Sequence, residues 1–234
     1  MSNEYTEIIK ELRTKYNFSQ EHVASTIGVS RPTYTAIESG KQKLDIEEAK
    51  KLANMYSIGV DELLSGRISD IEKYKQMILN ALETGADRDG KITKTKLAKL
   101  VYLADFTWFY NHLVPMSGMS YRRLPQGPVP DVYFRAIDEL IDSGALNMEE
   151  RGRAFMLSMA DTGSAPSNQL KPEEKQMLQR IGKAWKGKQT QEIVNFTHEQ
   201  LPWQICREGE VIPYGLITQE DPKKVYGNAR VAEL

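Results

Sequence analysis

The stretch Gln20–Lys41, QEHVASTIGVSRPTYTAIESGK, constrains this chain more than any other. Apolar side chains fall at Val23, Ile27, Val29, Tyr34 and Ile37, the positions that two short crossed helices must bury. Ala24 is small where the two helices come closest, and Gly28 sits at the turn, where a residue without Cβ takes a left-handed conformation cheaply. Ser19 and Ser30 each precede a helical run, and a serine hydroxyl there accepts from the free N–H groups of the first turn. Together these spacings read as a helix-turn-helix.

In that motif the second helix enters the major groove and its leading residues meet base edges. Ser30 opens this helix. Arg31 is the best base-reading candidate, because its planar fork can donate two hydrogen bonds to a guanine. Thr33 and Thr35 each offer a hydroxyl and a methyl. Pro32 lacks only an N–H that the first turn leaves unsatisfied anyway. Gln20 opens the preceding helix and is expected to grip a phosphate with its amide and the helix N-terminus. Lys41 and Lys43 are expected to meet the backbone on the far side. Residues 1–66 hold 8 Lys/Arg against 10 Asp/Glu, and the whole chain carries a net charge of −1. That excludes a strongly basic, non-specific nucleic-acid coat. Binding is expected through placed groups on a dimer, or in a larger complex, and should weaken with salt.

The chain reads as mainly α, with a helix-turn-helix domain over 1–66 and a second domain over 67–234. Five helices are expected in the first. One carries Ile8, Ile9 and Leu12; two form the motif. A fourth opens on the capping box Asp45/Glu48 and buries Ala49, Leu52 and Ala53; a fifth holds Val60, Leu63 and Leu64. Beyond Gly66, Ser69/Glu72 predicts a second capping box and a helix to about 82. A long helix is expected over 93–112, then a Pro/Gly-rich loop and a helix over 130–143. The residues 143–159 suggest a turn and a hairpin. The stretch 161–168, DTGSAPSN, reads as a flexible loop. Helices follow at 172–185 and 190–200, and the pattern beyond Pro202 is mixed.

No catalytic constellation stands out. His22, His112 and His198 are far apart, and no His/Cys pair has zinc spacing. There is no phosphate-cradling glycine loop and no nucleophile elbow. The DRDG at 87–90 fails as a calcium loop, since the twelfth position falls on Ala98. No cofactor, metal or enzymatic activity is expected. The single cysteine, Cys206, has no internal partner, and a buried thiol is the simpler reading; His198 is expected to make a structural hydrogen bond. With no apolar run of membrane length and no secretory pattern at the start, a cytoplasmic home is expected.

Residues 5–65, closing on GVDELL, resemble the Cro/repressor-type helix-turn-helix family, common in phage repressors and antitoxins. Three further segments, KLAKLVYLAD (96–105), GPVPDVY (127–133) and FTHEQLPW (196–203), resemble the signatures of the Panacea or SocA-like antitoxin domain. That resemblance covers about 90–205. It departs at YRRLPQ (121–126), where the family has an aromatic and a small residue before its glycine-proline turn. It implies a mostly helical domain with a small antiparallel sheet that binds and neutralises a cognate protein toxin, in a bacterial or phage-encoded system. The loop 113–130 supplies candidate toxin contacts at Met116, Met119, Tyr121, Arg122 and Arg123; the first three could equally cover the core. An operon repressor acting on double-stranded operator DNA, as a homodimer or with its toxin, follows from the pair of resemblances. A ligand-responsive regulator and a proteolytic adaptor are the alternatives.

Overall fold

A computed structural model describes residues 5–56, 58–66, 69–160 and 169–226. The stretch 161–168, expected to be a flexible loop, lies outside them. The chain divides into two compact units, 1–69 and 70–234, so the dividing line falls beyond the expected 66.

The first unit consists of α1 (Tyr5–Lys15), α2 (Gln20–Ile27), α3 (Arg31–Glu38), α4 (Ile46–Tyr56) and α5 (Val60–Ser65). Local signals set the ends. Ser19 Oγ accepts from His22 N at 3.1 Å, and Ser30 Oγ accepts from Thr33 N at 3.3 Å. Gly28 ends α2 in the left-handed region at φ 83, its N–H reaching the carbonyls of Ala24 and Ser25. Asp45 and Glu48 form the reciprocal capping box, each accepting from the other's backbone N–H. Ile9, Val23, Ile27, Tyr34, Ile37 and Leu52 fill one core, each worth about 1.5–3 kcal/mol on burial.

That core also holds a carboxylate. Glu38 is only 9% exposed. Arg13 grips it with Nε at 2.6 Å and Nη2 at 3.3 Å, Tyr34 donates its hydroxyl at 3.1 Å, and Gln20 Nε2 donates at 2.8 Å. Burial alone would push the Glu38 carboxyl up; the bonds from Arg13 and Gln20 outweigh it, and the pKa lies below the usual carboxylate range.

The second unit is built round α7 (Lys94–His112), capped by Thr93. Every residue from Lys96 to Phe109 is buried. A helix apolar all round belongs inside a core, and the neighbours supply the walls. They are α6 (Ile71–Gly85), α8 (Tyr133–Asp142), α9 (Pro172–Trp185), α10 (Thr190–His198), α11 (Leu201–Ile205), a 3-10 turn at Tyr214–Gln219 and α12 (Pro222–Val225). A three-stranded antiparallel sheet has the order β1 (Lys91–Thr93), β5 (Ala154–Met159), β4 (Leu146–Arg151), with Leu157 opposite both Ile92 and Met148. A separate hairpin joins β2 (Tyr121–Leu124) to β3 (Gly127–Pro130). Among the described residues no helix is long and apolar enough to cross a membrane.

Three expectations change. The cap of α6 is Asp70, which accepts from Lys73 N at 2.9 Å; Ser69 bonds Glu62 instead, and Glu72 pairs with Lys75. The eighth helix starts at Tyr133 rather than 130, because Pro130 is held in the hairpin opposite Tyr121. Part of the supposed loop 113–130 is that hairpin, and β1 was hidden beside a turn.

Four polar side chains buried on α7, those of Lys96, Lys99, Asp105 and Thr107, each tie down a different segment. Lys96 Nζ donates to the Lys188 carbonyl at 2.7 Å and lies 3.4 Å from Asp87. Lys99 Nζ donates to the Pro128 carbonyl at 2.9 Å, and Thr107 Oγ1 to the Val225 carbonyl at 2.9 Å. Asp105 gathers the most. It accepts from the N–H groups of Met116 (2.8 Å) and Ser117 (3.2 Å), from the Ser117 hydroxyl, and from the hydroxyls of Tyr121 (3.1 Å) and Tyr214 (2.9 Å).

Three outcomes follow from these two buried carboxylates. Glu38 has a lowered folded pKa, so its contribution is present above the unfolded value of about 4.3 and is lost as pH falls through the folded value. Amide exchange of α2–α3 peptides should therefore rise, relative to the Glu38→Gln variant at the same pH, as pH is lowered from about 5.5 to 3. Arg13→Ala, which strands the carboxylate, should cost about 2 kcal/mol in denaturant unfolding at pH 7. Asp105→Ala should cost about 3 kcal/mol or more, since it orphans several buried donors at once; tryptophan fluorescence during unfolding measures it.

Candidate nucleic-acid interface and the converging motifs

The helix-turn-helix presents Arg31, Pro32, Thr35, Lys41 and Lys43 to solvent. Arg31 stands on the first turn of α3, and Thr35 lies one turn on, on the same face. No hydrogen bond or ion pair of the Arg31 side chain is formed among the described residues, so its five donors are available to a duplex. The other candidates carry internal duties. Ser30 caps α3, and its hydroxyl also bonds Thr33 Oγ1 at 2.8 Å, so half-buried Thr33 is engaged at its hydroxyl. Thr35 Oγ1 lies 3.0 Å from the Arg31 carbonyl and 3.2 Å from Gln20 Oε1. The expectation for Gln20 is corrected. Its amide does not reach outward for phosphate: the nitrogen is given to Glu38 and the oxygen faces Thr35. Gln20 braces α3 against α2 and so sets the angle at which Arg31 is offered.

Arg13 and Glu38 were not singled out in the sequence. A signal existed: Glu38 follows Tyr34 by one helical turn, on the face that Ile37 buries. A carboxylate at such a position demands a cation, and Arg13 on α1 provides it.

In the second unit the three motif segments meet. Lys99, from KLAKLVYLAD, bonds the carbonyl of Pro128 in GPVPDVY. Gly127 has φ 95, and a Cβ there would lie 2.8 Å from both Lys99 Cε and Thr197 Oγ1, the latter from FTHEQLPW. The glycine is therefore required twice over, by its left-handed backbone and by the closeness of its neighbours. Next to Thr197 in the same third segment, His198 stacks on Trp203 at 3.9 Å, and Arg123 covers Trp203 at 3.8 Å while donating Nε to its carbonyl at 3.0 Å. Trp203 Nε1 donates to the Leu124 carbonyl at 3.3 Å.

Several expectations change here. Met116, Met119 and Tyr121 are 3%, 2% and 0% exposed, so they cover the core and cannot supply contact area at the surface. Asp105 is the reason: it draws the backbone of Met116 and the hydroxyl of Tyr121 inward. Arg122 stays at the surface, paired with Asp131 at 2.6 Å and bonded to the Gly209 carbonyl at 3.0 Å, and Arg123 is committed to Trp203. His198 is held by stacking, and among the described residues its buried Nε2 finds no hydrogen-bond partner. Burial first, then the charges of Lys99 and Arg123, hold its pKa below the ordinary histidine value. Cys206 is buried, and burial and nearby Glu210 push its thiol up, away from the reactive thiolate. Among the described residues no group of three or more His, Cys, Asp or Glu side chains is placed to hold a metal ion.

Two family models match the chain: a helix-turn-helix family over residues 9–63, and the family described as antitoxin SocA-like, Panacea domain, over residues 97–204. Curated relatives include the cryptic phage CTXphi transcriptional repressor RstR of Vibrio cholerae, 41% identical over 71 residues, which are 30% of this chain and 64% of RstR. The chain thus spans less than two thirds of that relative. The SPbeta prophage-derived uncharacterized HTH-type transcriptional regulator YonR of Bacillus subtilis is 31% identical over 99 residues, 42% of this chain and 90% of YonR. The HTH-type transcriptional activator BcrR of Enterococcus faecalis is 40% identical over 63 residues, 27% of this chain and 31% of BcrR. No solved structure matches the chain significantly. With its capped and braced α2–α3 pair and its three converging segments, the chain belongs to the helix-turn-helix transcriptional regulators and carries a SocA-like Panacea domain.

Proposed function

We propose that this protein is an antitoxin with two separable tasks. The Panacea domain binds and neutralises a cognate protein toxin, and the helix-turn-helix binds double-stranded operator DNA to repress the shared operon. The observation that carries this reading is the joining, in one chain, of an exposed Arg31 on a repressor-type recognition helix to a SocA-like antitoxin domain. Neutralisation needs only a tight interface that covers or distorts the toxin, with no bond made or broken by this chain. The protein acts in the cytoplasm as a homodimer or in a toxin–antitoxin complex, and is not an enzyme. A mildly acidic reading module gains affinity chiefly by engaging two half-sites at once.

Co-expression with the product of the adjacent gene tests neutralisation: growth should be arrested by that product alone and restored by this protein. A harmless product, or one that stays lethal, would sink the reading. Arg31→Ala should weaken operator binding by about 1–3 kcal/mol in a mobility-shift titration and leave growth rescue intact. Affinity should also fall steeply between 50 and 200 mM salt, as phosphate contacts release counterions.

A further inference from the structure

The second unit contains a cavity of about 600 Å³ between the start of α7, the β2–β3 hairpin, the start of α8 and the β4–β5 turn. That volume lies in the range of small-molecule sites. Its walls combine apolar, cationic and neutral polar groups, the last from Thr93, Thr95, Gln126 and Thr190. Val129, Tyr133, Phe134 and Phe155 are apolar or aromatic; Lys94, Lys99 and Arg153 are cationic. No Asp or Glu lines it among the described residues.

Lys99 is the unusual member. It is fully buried, and the Pro128 carbonyl is the one acceptor its ammonium reaches among the described residues. An ammonium has three donors, so two are unfilled, and no carboxylate balances the charge. Burying an unpaired charge is costly, and the group answers by lowering its pKa, here to about 7, through burial. Lys96, three residues earlier on the same helix, has both a carbonyl and a carboxylate within reach. The deficit is thus particular to the lysine that walls the cavity. At the mouth, Lys94 Nζ sits 5.0 Å from the centre of the Phe134 ring, and Phe134 and Phe155 are about half exposed.

We propose that this cavity is a binding site for a small organic anion: a carboxylate or sulfonate head on a ring-sized apolar body. The head meets the cationic wall and supplies the missing counter-charge of Lys99. The body lies among the aromatic side chains, where Phe134 and Phe155 gain cover that they lack in the free protein. The absence of acidic side chains from the wall excludes cationic ligands, and the apolar lining disfavours small hydrated ions such as phosphate. This inference does not rest on toxin neutralisation, and either can fail alone.

The test uses the full-length protein and 8-anilinonaphthalene-1-sulfonate as fluorescent probe. One probe should bind per chain, and phenylacetate should displace it, whereas phenylacetamide, its neutral isostere, should not. Lys99→Met should weaken phenylacetate binding at least about tenfold, the loss expected for a hydrogen-bonded charge. Thermal melting checks that this variant folds. Phe134→Asp, on the exposed mouth, gives an independent arm: it places a carboxylate in the path of the anion and should weaken binding by a similar factor. Equal displacement by the neutral amide, unchanged affinity in both folded variants, or no saturable binding of probe or phenylacetate would overturn the proposal.

Discussion

The second unit depends on a single constraint: a helix enclosed from Lys96 to Phe109 still carries polar groups, and four of them hold the segments around it in place. Helix α7 answers them by capturing distant parts of the chain. Lys96 takes a carbonyl from the α9–α10 link, Lys99 one from the hairpin, and Thr107 one from the end of α12. Asp105 collects a loop and two tyrosines. Non-directional burial would leave these segments free to slide over an apolar rod, whereas directional bonds fix their register. The aromatic packing of Phe106 between Tyr121 and Tyr214 follows from the position that Asp105 gives to both hydroxyls.

The first unit solves a smaller version of the same problem. Glu38 is one buried carboxylate, and its donors come from α1, α2 and α3. The recognition helix is thereby keyed to both of its neighbours by charge-assisted bonds as well as by packing. What the outward face offers to a duplex is set by the inward one: Gln20 joins Glu38 to Thr35, and Thr35 lies one turn from Arg31.

Local chemistry was the legible part of the sequence. The caps at Ser19, Ser30 and Asp45, the turn at Gly28 and the apolar spacing from Val23 to Ile37 all act within a few residues, and each appears as read. The helix-turn-helix and the Panacea resemblance were legible because their motifs are contiguous. Partnerships across long separations were not. Arg13 lies 25 residues from Glu38 and Tyr214 lies 109 from Asp105, and no periodicity links such pairs. Met116, Met119 and Tyr121 could be read either as surface or as core until the residue that pulls them inward was placed. The strand at Lys91–Thr93 was concealed for a related reason: its pairing partner, β5, is far along the chain.

The way α7 is enclosed bears on how the protein is made. Residues 1–69 form a unit of their own, so the first core can close while synthesis continues. The second cannot. Its central helix is finished at His112, yet one side waits for Tyr214 and another for Val225. At ordinary elongation rates that wait is on the order of ten seconds. Throughout it, the central helix of the second unit lacks its cover and is open to chaperones and proteases, while the amino-terminal unit is already folded.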